Sequence, residues 1–239
     1  MRSPVELWVY LSASPLIWLT LTVCTWIAAS ELSLRLKRNP LVNPVLTSTL
    51  FLSVVMTIGD IPYEQFFAGA QFVHFLLGPA TVAIAIPMFR QWKRVKQLLL
   101  PIAAALIVGS LAAVGSVVAL AYAVGLSEDV MISFLPKSAT AGVAMAISAS
   151  LGGNPSLTAV LVLLTGITGA LIVTPFMNLM RIRDYAARGF AVGLTSHGIG
   201  TARAYEVDET AGLFAGIAMA LNAVATSVIV PLAAAVLLR

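Results

Sequence analysis

The stretch LLLPIAAALIVGSLAAVGSVVALAYAVG, residues 98–125, decides the class of fold. It contains no charged side chain, and a helix needs about 20 apolar residues to cross the hydrocarbon core of a bilayer. The run is continuous, whereas the strands of an outer-membrane barrel alternate apolar and polar residues. Residues 98–125 therefore predict a transmembrane helix.

The composition of the whole chain points the same way. Of 239 residues, 59% are hydrophobic and 10% are charged, and the mean hydropathy is +0.97. Soluble domains have about 25% charged residues, so a soluble or disordered chain is excluded. The single cysteine, Cys24, excludes an internal disulfide scaffold. The net charge of +4 does not indicate nucleic-acid binding, because most basic residues lie in short clusters between apolar runs.

The apolar runs predict an all-α polytopic membrane protein that forms a single membrane domain over residues 1–239. The runs are Leu7–Ala29, Leu41–Ile58, Phe66–Phe89, Leu98–Gly125, Val130–Leu151, Leu157–Met180, Ala186–Ala204 and Ala211–Leu238. The first run is longer than the core of a signal peptide, so we interpret it as a span rather than a cleaved leader.

The charges between the runs predict the orientation. Basic residues cluster at Arg35, Lys37 and Arg38, at Arg90, Lys93, Arg94 and Lys96, and at Arg181, Arg183 and Arg188. Acidic residues cluster at Asp60 and Glu64, at Glu128 and Asp129, and at Glu206, Asp208 and Glu209. Basic loops prefer the cytoplasm, which places the N-terminus outside and the three basic loops inside.

The run Val130–Leu151 does not fit this alternation as a full crossing. Glu128 is predicted outside and Arg181 inside, yet two apolar runs lie between them. The first of these contains Pro136 and Lys137, and irregular backbone at membrane depth is tolerated where it is buried in protein. We expect seven crossings plus this broken or re-entrant element. An eight-crossing alternative would place Arg183 outside.

A short similarity suggests an inverted repeat. The tetrapeptide GPAT at residues 78–81 resembles GIGT at 198–201, and the same offset of 120 residues superposes most of the apolar runs. Repeat one would cover about residues 1–120 and repeat two about 121–239. Interrupted segments in corresponding positions point to a transporter binding site. The expected helix breaks lie at Gly78, Pro79, Thr81, Pro136, Gly198 and Gly200.

The ionisable residues inside the runs are basic or neutral. All ten acidic residues lie near the N-terminus, in loops or at span ends, whereas Lys137, His197 and Arg203 lie within apolar stretches. Cations without carboxylates at membrane depth predict an anion site, to which broken helices add their N-terminal amides. The expected substrate-binding residues are Lys137, Ser138, Thr140, Asn154, Ser156, His197, Thr201 and Arg203. We expect no catalytic residue, metal site or cofactor.

Each of these residues also has a structural interpretation. Lys137 would extend its ammonium to a membrane interface. Arg203 would pair with Glu206 one helical turn later, and His197 would pack between helices. Asn154 or Ser156 would cap the following span.

Four motifs resemble the LrgB/CidB family over nearly the whole chain. They are LLGPATVAIAIP at 76–87, LPKSAT at 135–140, GGNPSLTA at 152–159 and RGFAVGLTSHGIGTARA at 188–204. One departure is Ala141-Gly142, where the family pattern has Thr-Pro. Without the proline, a helix break at this position is less strongly favoured.

The resemblance implies a bacterial inner-membrane protein that works with a small LrgA-like membrane partner. Relatives have been linked to transport of glycolate, glycerate or pyruvate, so the expected function is a transport component for small monocarboxylates. The alternative is a holin/antiholin-like regulator of murein hydrolases and cell lysis, which predicts oligomeric pores. A homo-oligomer is left open. An intramembrane enzyme is not expected, because the sequence has no HExxH or GxSxG motif.

Overall fold

The computed structural model describes residues 14–39, 42–76 and 91–237, together with positions 79, 82, 83, 86 and 89. The expected breaks at Gly78 and Thr81 lie outside the described residues, and Pro79 has a helical backbone. The chain divides into two compact units, Met1–Ala83 and Ile84–Arg239.

The described residues contain helices and no strand, which confirms the all-α class. The helices are α1 Pro15–Arg35, α2 Pro44–Ile58, α3 Tyr63–Phe75, α4 Trp92–Gln97, α5 Leu99–Val124, α6 Glu128–Phe134, α7 Ala141–Ser150, α8 Pro155–Leu179, α9 Tyr185–Val207 and α10 Glu209–Leu237. By length and composition, four of them are able to cross a membrane: α1, α5, α8 and α10.

The first unit packs α1 against α2 and α3. Trp18 of α1 is fully buried, and its ring meets that of Phe66 edge-on at 5.9 Å between centroids. A Cβ at Gly69 would lie 2.8 Å from Leu19 N, so only glycine permits this approach of α3 to α1. Asn43 begins α2 by accepting the Val45 amide at 2.9 Å.

In the second unit, α5 and α10 run in the same direction. Ile102 near the start of α5 shares a buried cluster with Phe214 near the start of α10. Further along, Ser110 Oγ donates to Asn222 Oδ1 at 2.9 Å. Beyond that bond, Val114 of α5 packs in one cluster with Val230 of α10.

The stretch 130–151 is interrupted, as the sequence analysis expected, and it folds back on itself. Thr158 Oγ1 of α8 lies 3.0 Å from Ser133 O of α6 and 2.8 Å from Ser148 Oγ of α7. Ser133 and Ser148 are almost equally far along the chain from Thr140, which begins α7 with an extended backbone (φ −62°, ψ 147°). α6 and α7 therefore form a hairpin, here the first hairpin, with its tip at 135–140. The break forms although Gly142 replaces the proline of the family pattern.

Helix α9 is also a hairpin, and this corrects the expected crossing over Ala186–Ala204. The backbone reverses at Ser196 (φ −126°, ψ 17°) and His197 (φ 40°, ψ −134°). A Cβ at Gly200 would lie 2.9 Å from Val192 O, although eight residues of straight helix span about 12 Å. The two arms, 185–195 and 198–207, thus lie side by side as the second hairpin, whose tip is Ser196-His197.

Both ends of the second hairpin lie at the same end of the unit. Tyr185 and Val207 line one small cavity of about 20 Å³. Glu206, Asp208 and Glu209 therefore lie on the same side as Arg188, not on the opposite side as expected. A run of 19 apolar-rich residues matches the length of one crossing, but here it is divided into two arms of about 15 Å each.

Helix α8 shows that the two hairpins enter from opposite ends. Near the start of α8, Thr158 contacts Ser133 of the first hairpin, while near its end Asn178 Oδ1 accepts a hydrogen bond from Arg188 at the base of the second hairpin. Between them, Val162 packs with Ala139 of the first tip, and Val162 O bonds His197 of the second tip. The tips of the two hairpins meet in the middle of the unit.

Candidate functional site

The hairpin tips are joined by the side chain of Asn222 in α10. Its Nδ2 donates to Ser138 O at 3.1 Å and to Leu194 O at 3.0 Å. The residue is only 2% exposed. Asn222 is not among the residues predicted from the sequence, although an amide isolated in the middle of an apolar run is a detectable signal.

A cleft of about 750 Å³ extends from the base of the second hairpin to the tips. Its walls come from α5, α8, α9, α10 and the first tip, and most of its lining is apolar. The polar lining residues are Ser116, Lys137, Ser138, Thr165, Asp184 and Thr195. Lys137 and Ser138 are among the residues predicted from the sequence, whereas the hydroxyls of Ser116, Thr165 and Thr195 are not.

Lys137 brings a positive charge to the tip end of the cleft. The side chain is half-buried, and within the described part of the chain its ammonium makes no hydrogen bond or ion pair. Asp184 is the one carboxylate of the lining, and it is engaged as the N-cap of α9, where it accepts the Ala187 amide at 2.8 Å. The first arm of α9 rises about 16 Å between Asp184 and Thr195. Asp184 at the base of the second hairpin and Lys137 at the first tip thus lie at opposite ends of the cleft.

Helix N-termini add to the positive potential at the tips. The second arm of each hairpin begins there, α7 at Ala141 and the second arm of α9 at Gly198. The first amides of a helix have no intrahelical acceptor, and they carry the positive end of the helix dipole. The tips therefore combine one ammonium, several hydroxyls and two helix N-termini.

His197, Thr201 and Arg203 do not line this cleft. His197 Nε2 lies 2.9 Å from Val162 O, and Thr201 Oγ1 donates to His197 O at 2.7 Å. Arg203 Nη1 donates to Glu206 Oε2 at 2.9 Å, while its buried Nε has no partner within the described chain. These contacts match the structural interpretations, packing for His197 and an ion pair for Arg203. A binding role for these residues stays a prediction.

The remaining expected residues lie at helix starts. Thr140 begins α7 at the first tip. Asn154 Oδ1 accepts the amides of Ser156 and Leu157 at 3.0 and 3.1 Å, and thus caps α8. Asn154 and Ser156 follow the end of α7 at Ser150, so they lie where the chain passes from the first hairpin into α8 and not in the tip, and the Asn154 amide donates to Ser133 Oγ at 2.8 Å.

The break expected at Gly198 and Gly200 lies one to four residues earlier in the chain. The two glycines are helical, and the reversal occupies Ser196 and His197 immediately before them. A positive φ at a non-glycine residue is strained, and the surroundings must hold it. Gly166 of α8 provides the space for the His197 ring, because a Cβ at position 166 would lie 2.6 Å from His197 Cε1. Pro136 lies inside the non-helical segment of the first tip.

Comparison with known proteins gives a consistent set of relatives. The sequence model of the LrgB-like family matches residues 22–236. The Bacillus subtilis protein YxaC is 36% identical over 217 residues, which is 91% of this chain and 94% of the relative. The holin-like protein CidB of Staphylococcus aureus (strain Mu50) is 31% identical over 90% of this chain and 94% of its own.

A further relative, the antiholin-like protein LrgB of Bacillus mycoides, is 32% identical over 80% of this chain and 84% of its own. No solved structure matches the chain. Together with the long apolar helices α1, α5, α8 and α10, the holin-like relatives establish a multi-pass membrane protein.

Proposed function

This chain belongs to the LrgB-like family, and from that premise we propose that it is a holin-like membrane protein that regulates murein hydrolase activity and cell lysis. The observation that carries the proposal is the similarity to the holin-like CidB and the antiholin-like LrgB over at least four fifths of the chain. This was the alternative in the sequence analysis, and the relatives favour it over transport. The proposal includes an LrgA-like membrane partner, the bacterial inner membrane as location and the absence of enzymatic activity.

The second candidate function is transport of small monocarboxylates, and the position of Lys137 favours it. The ammonium faces a cleft whose lining offers three hydroxyls besides that of Ser138. A carboxylate bound there would gain a charge-assisted hydrogen bond from Lys137 and amides from the helix N-termini. The apolar walls of α5 and α10 would accept a short carbon chain. Hairpins that close tip to tip are compatible with a site reached alternately from each side.

The hairpins also support a more specific topology. We propose six crossings, formed by the apolar runs at 7–29, 41–58, 66–89, 98–125, 157–180 and 211–238, with the N-terminus outside. The first hairpin would enter from the outside and the second from the cytoplasm, each with arms of about 10–16 Å, half of a bilayer core of about 30 Å. All three basic loops then stay inside. In this proposal the inverted repeat is a hairpin followed by a span, residues 128–179 and 185–237, which is shorter than the repeat expected from the offset of 120.

Reconstitution separates the two functions. Purified protein in liposomes, with and without an LrgA-like partner, is tested for release of a trapped neutral dye and for uptake of labelled pyruvate, glycolate and glycerate. The variants are Lys137→Ala and the matched control Lys93→Ala, which removes an exposed positive charge outside the cleft. A holin-like protein releases dye equally in both variants. A carrier takes up carboxylate saturably, and uptake is lost in Lys137→Ala but kept in Lys93→Ala. A protein that does neither, with or without the partner, refutes both functions.

A further inference from the structure

The amide of Asn222 is a buried polar group that neither candidate function uses. Burying an amide costs free energy unless its hydrogen bonds are made inside the protein. An Asn side chain donates two hydrogen bonds and accepts two. Nδ2 donates to Ser138 O and Leu194 O, and Oδ1 accepts from Ser110 Oγ at 2.9 Å and from Thr226 Oγ1 at 3.4 Å. Every position is therefore occupied.

The two donated bonds connect two different hairpins. Ser138 belongs to the first tip, and Leu194 precedes the reversal of the second hairpin by two residues. Since one nitrogen serves both acceptors at 3.1 and 3.0 Å, the two carbonyl oxygens lie within about 6 Å of each other. Without the N–H groups between them, the two carbonyls would face each other as buried, unpaired acceptors. The amide is what makes the contact between the tips favourable.

We propose that Asn222 is a latch that holds the two hairpin tips together at the inner end of the cleft. When the latch is released, the tips separate and Ser138 becomes accessible. This inference deepens the second candidate function, because separation of the tips would give a bound anion its exit.

Thiol labelling at the first tip tests the latch directly. Ser138 is 7% exposed, and in a Cys24→Ser background Ser138→Cys supplies the only thiol. Its reaction with a small maleimide in detergent then reports how often the tips open. Asn222→Leu removes both donated bonds and keeps the number and branching of the non-hydrogen atoms. We expect labelling to accelerate about 30-fold, which corresponds to about 2 kcal/mol at 1.4 kcal/mol per tenfold.

Three further variants define what the acceleration means. Asn222→Asp keeps an acceptor for Ser110 and at most one donor. Its labelling rate should therefore lie between those of the wild type and Asn222→Leu. Ser110→Ala removes the bond to α5 and keeps both tip bonds. Ser227→Ala, on the same helix, removes only a bond to Val224 O of its own turn. These last two variants should label at the rate of the wild type.

Equal labelling in all variants would overturn the latch, as would an acceleration in Ser227→Ala as large as that in Asn222→Leu. If Asn222→Leu does not fold, Asn222→Asp and Asn222→Ser answer the same question, because neither donates to both tips through one nitrogen. The assay contains no carboxylate. Faster labelling in Asn222→Leu, in a protein that shows no uptake, would therefore support the latch and reject transport. Uptake together with unchanged labelling would support transport and reject the latch.

Discussion

Gly193 offers the sharpest test of how the second hairpin is packed. A Cβ at this position would overlap with Ala215 O and lie 2.6 Å from both Ala215 C and Cα, whereas ordinary contact begins near 3.4 Å. These are backbone atoms of α10, so no side chain is able to rotate away. Gly193→Ala requires α9 and α10 to separate by more than about 0.8 Å, because Ala215 O is closer than Ala215 C and Cα, and overpacking of this kind costs about 1–3 kcal/mol, occasionally more.

The matched control is Gly115→Ala in α5, where a Cβ would meet nothing within 4 Å. Replacing glycine by alanine in a helix contributes up to about 1 kcal/mol of stability, so the control should be neutral or stabilised. The same gain offsets part of the cost at Gly193, so a cost at the upper end of the range, about 3 kcal/mol, leaves a net loss of about 2 kcal/mol. At 2–4 °C per kcal/mol, Gly193→Ala should lower the Tm by about 4–8 °C.

The assay is thermal unfolding of the purified variants in one detergent, followed by circular dichroism. The difference between the two variants matters more than either value, because both carry the same chemical change. If Gly193→Ala is as stable as Gly115→Ala, the first arm of α9 does not lie against α10 and the hairpin is misplaced.

Two further predictions concern topology and the first hairpin. Single cysteines placed at Arg183 and Asp208 should react with an impermeant maleimide from the same side of the membrane, and a single cysteine at Glu128 should react from the other side. If positions 183 and 208 react from opposite sides, α9 crosses the membrane completely and is not a hairpin. Thr158→Val removes the hydroxyl that lies between Ser133 and Ser148, and it should lower the free energy of chemical unfolding by about 2 kcal/mol. The control is Thr57→Val, which removes a hydroxyl that bonds Ser53 O of its own helix. This control should lower the free energy of unfolding by less than half as much.

The sequence predicted the first hairpin but not the second, for a physical reason. Pro136 and the Gly152-Gly153 pair are helix-breaking residues, which indicate that the stretch is not one continuous helix. At the second tip, however, the chain reverses at Ser196 and His197. A positive φ at a non-glycine residue cannot be recognised from the residue type. Hydropathy alone also fails, because two short apolar arms in succession have the length of one span.

The site was predicted in part, and what was missed depends on how helices face one another. Lys137 was detectable because a charge inside an apolar run is costly wherever it points. Thr165 and Thr195 are ordinary residues on their own helices, and they become cleft residues only through the rotation of α8 and α9 about their axes. Arg203 had two interpretations; its Nη1 makes the predicted ion pair with Glu206 at 2.9 Å, and its role in binding stays a prediction.

The closeness of Tyr185 and Val207 has a consequence for biosynthesis. When a segment is inserted as a hairpin, the loop after it returns to the side from which the segment entered. In the proposed topology the carboxylates of Glu206, Asp208 and Glu209 therefore stay in the same aqueous phase as Arg188 and do not cross the hydrocarbon core. Only the tip of the hairpin enters the bilayer, where the Asn222 amide of α10 donates a hydrogen bond to Leu194 O.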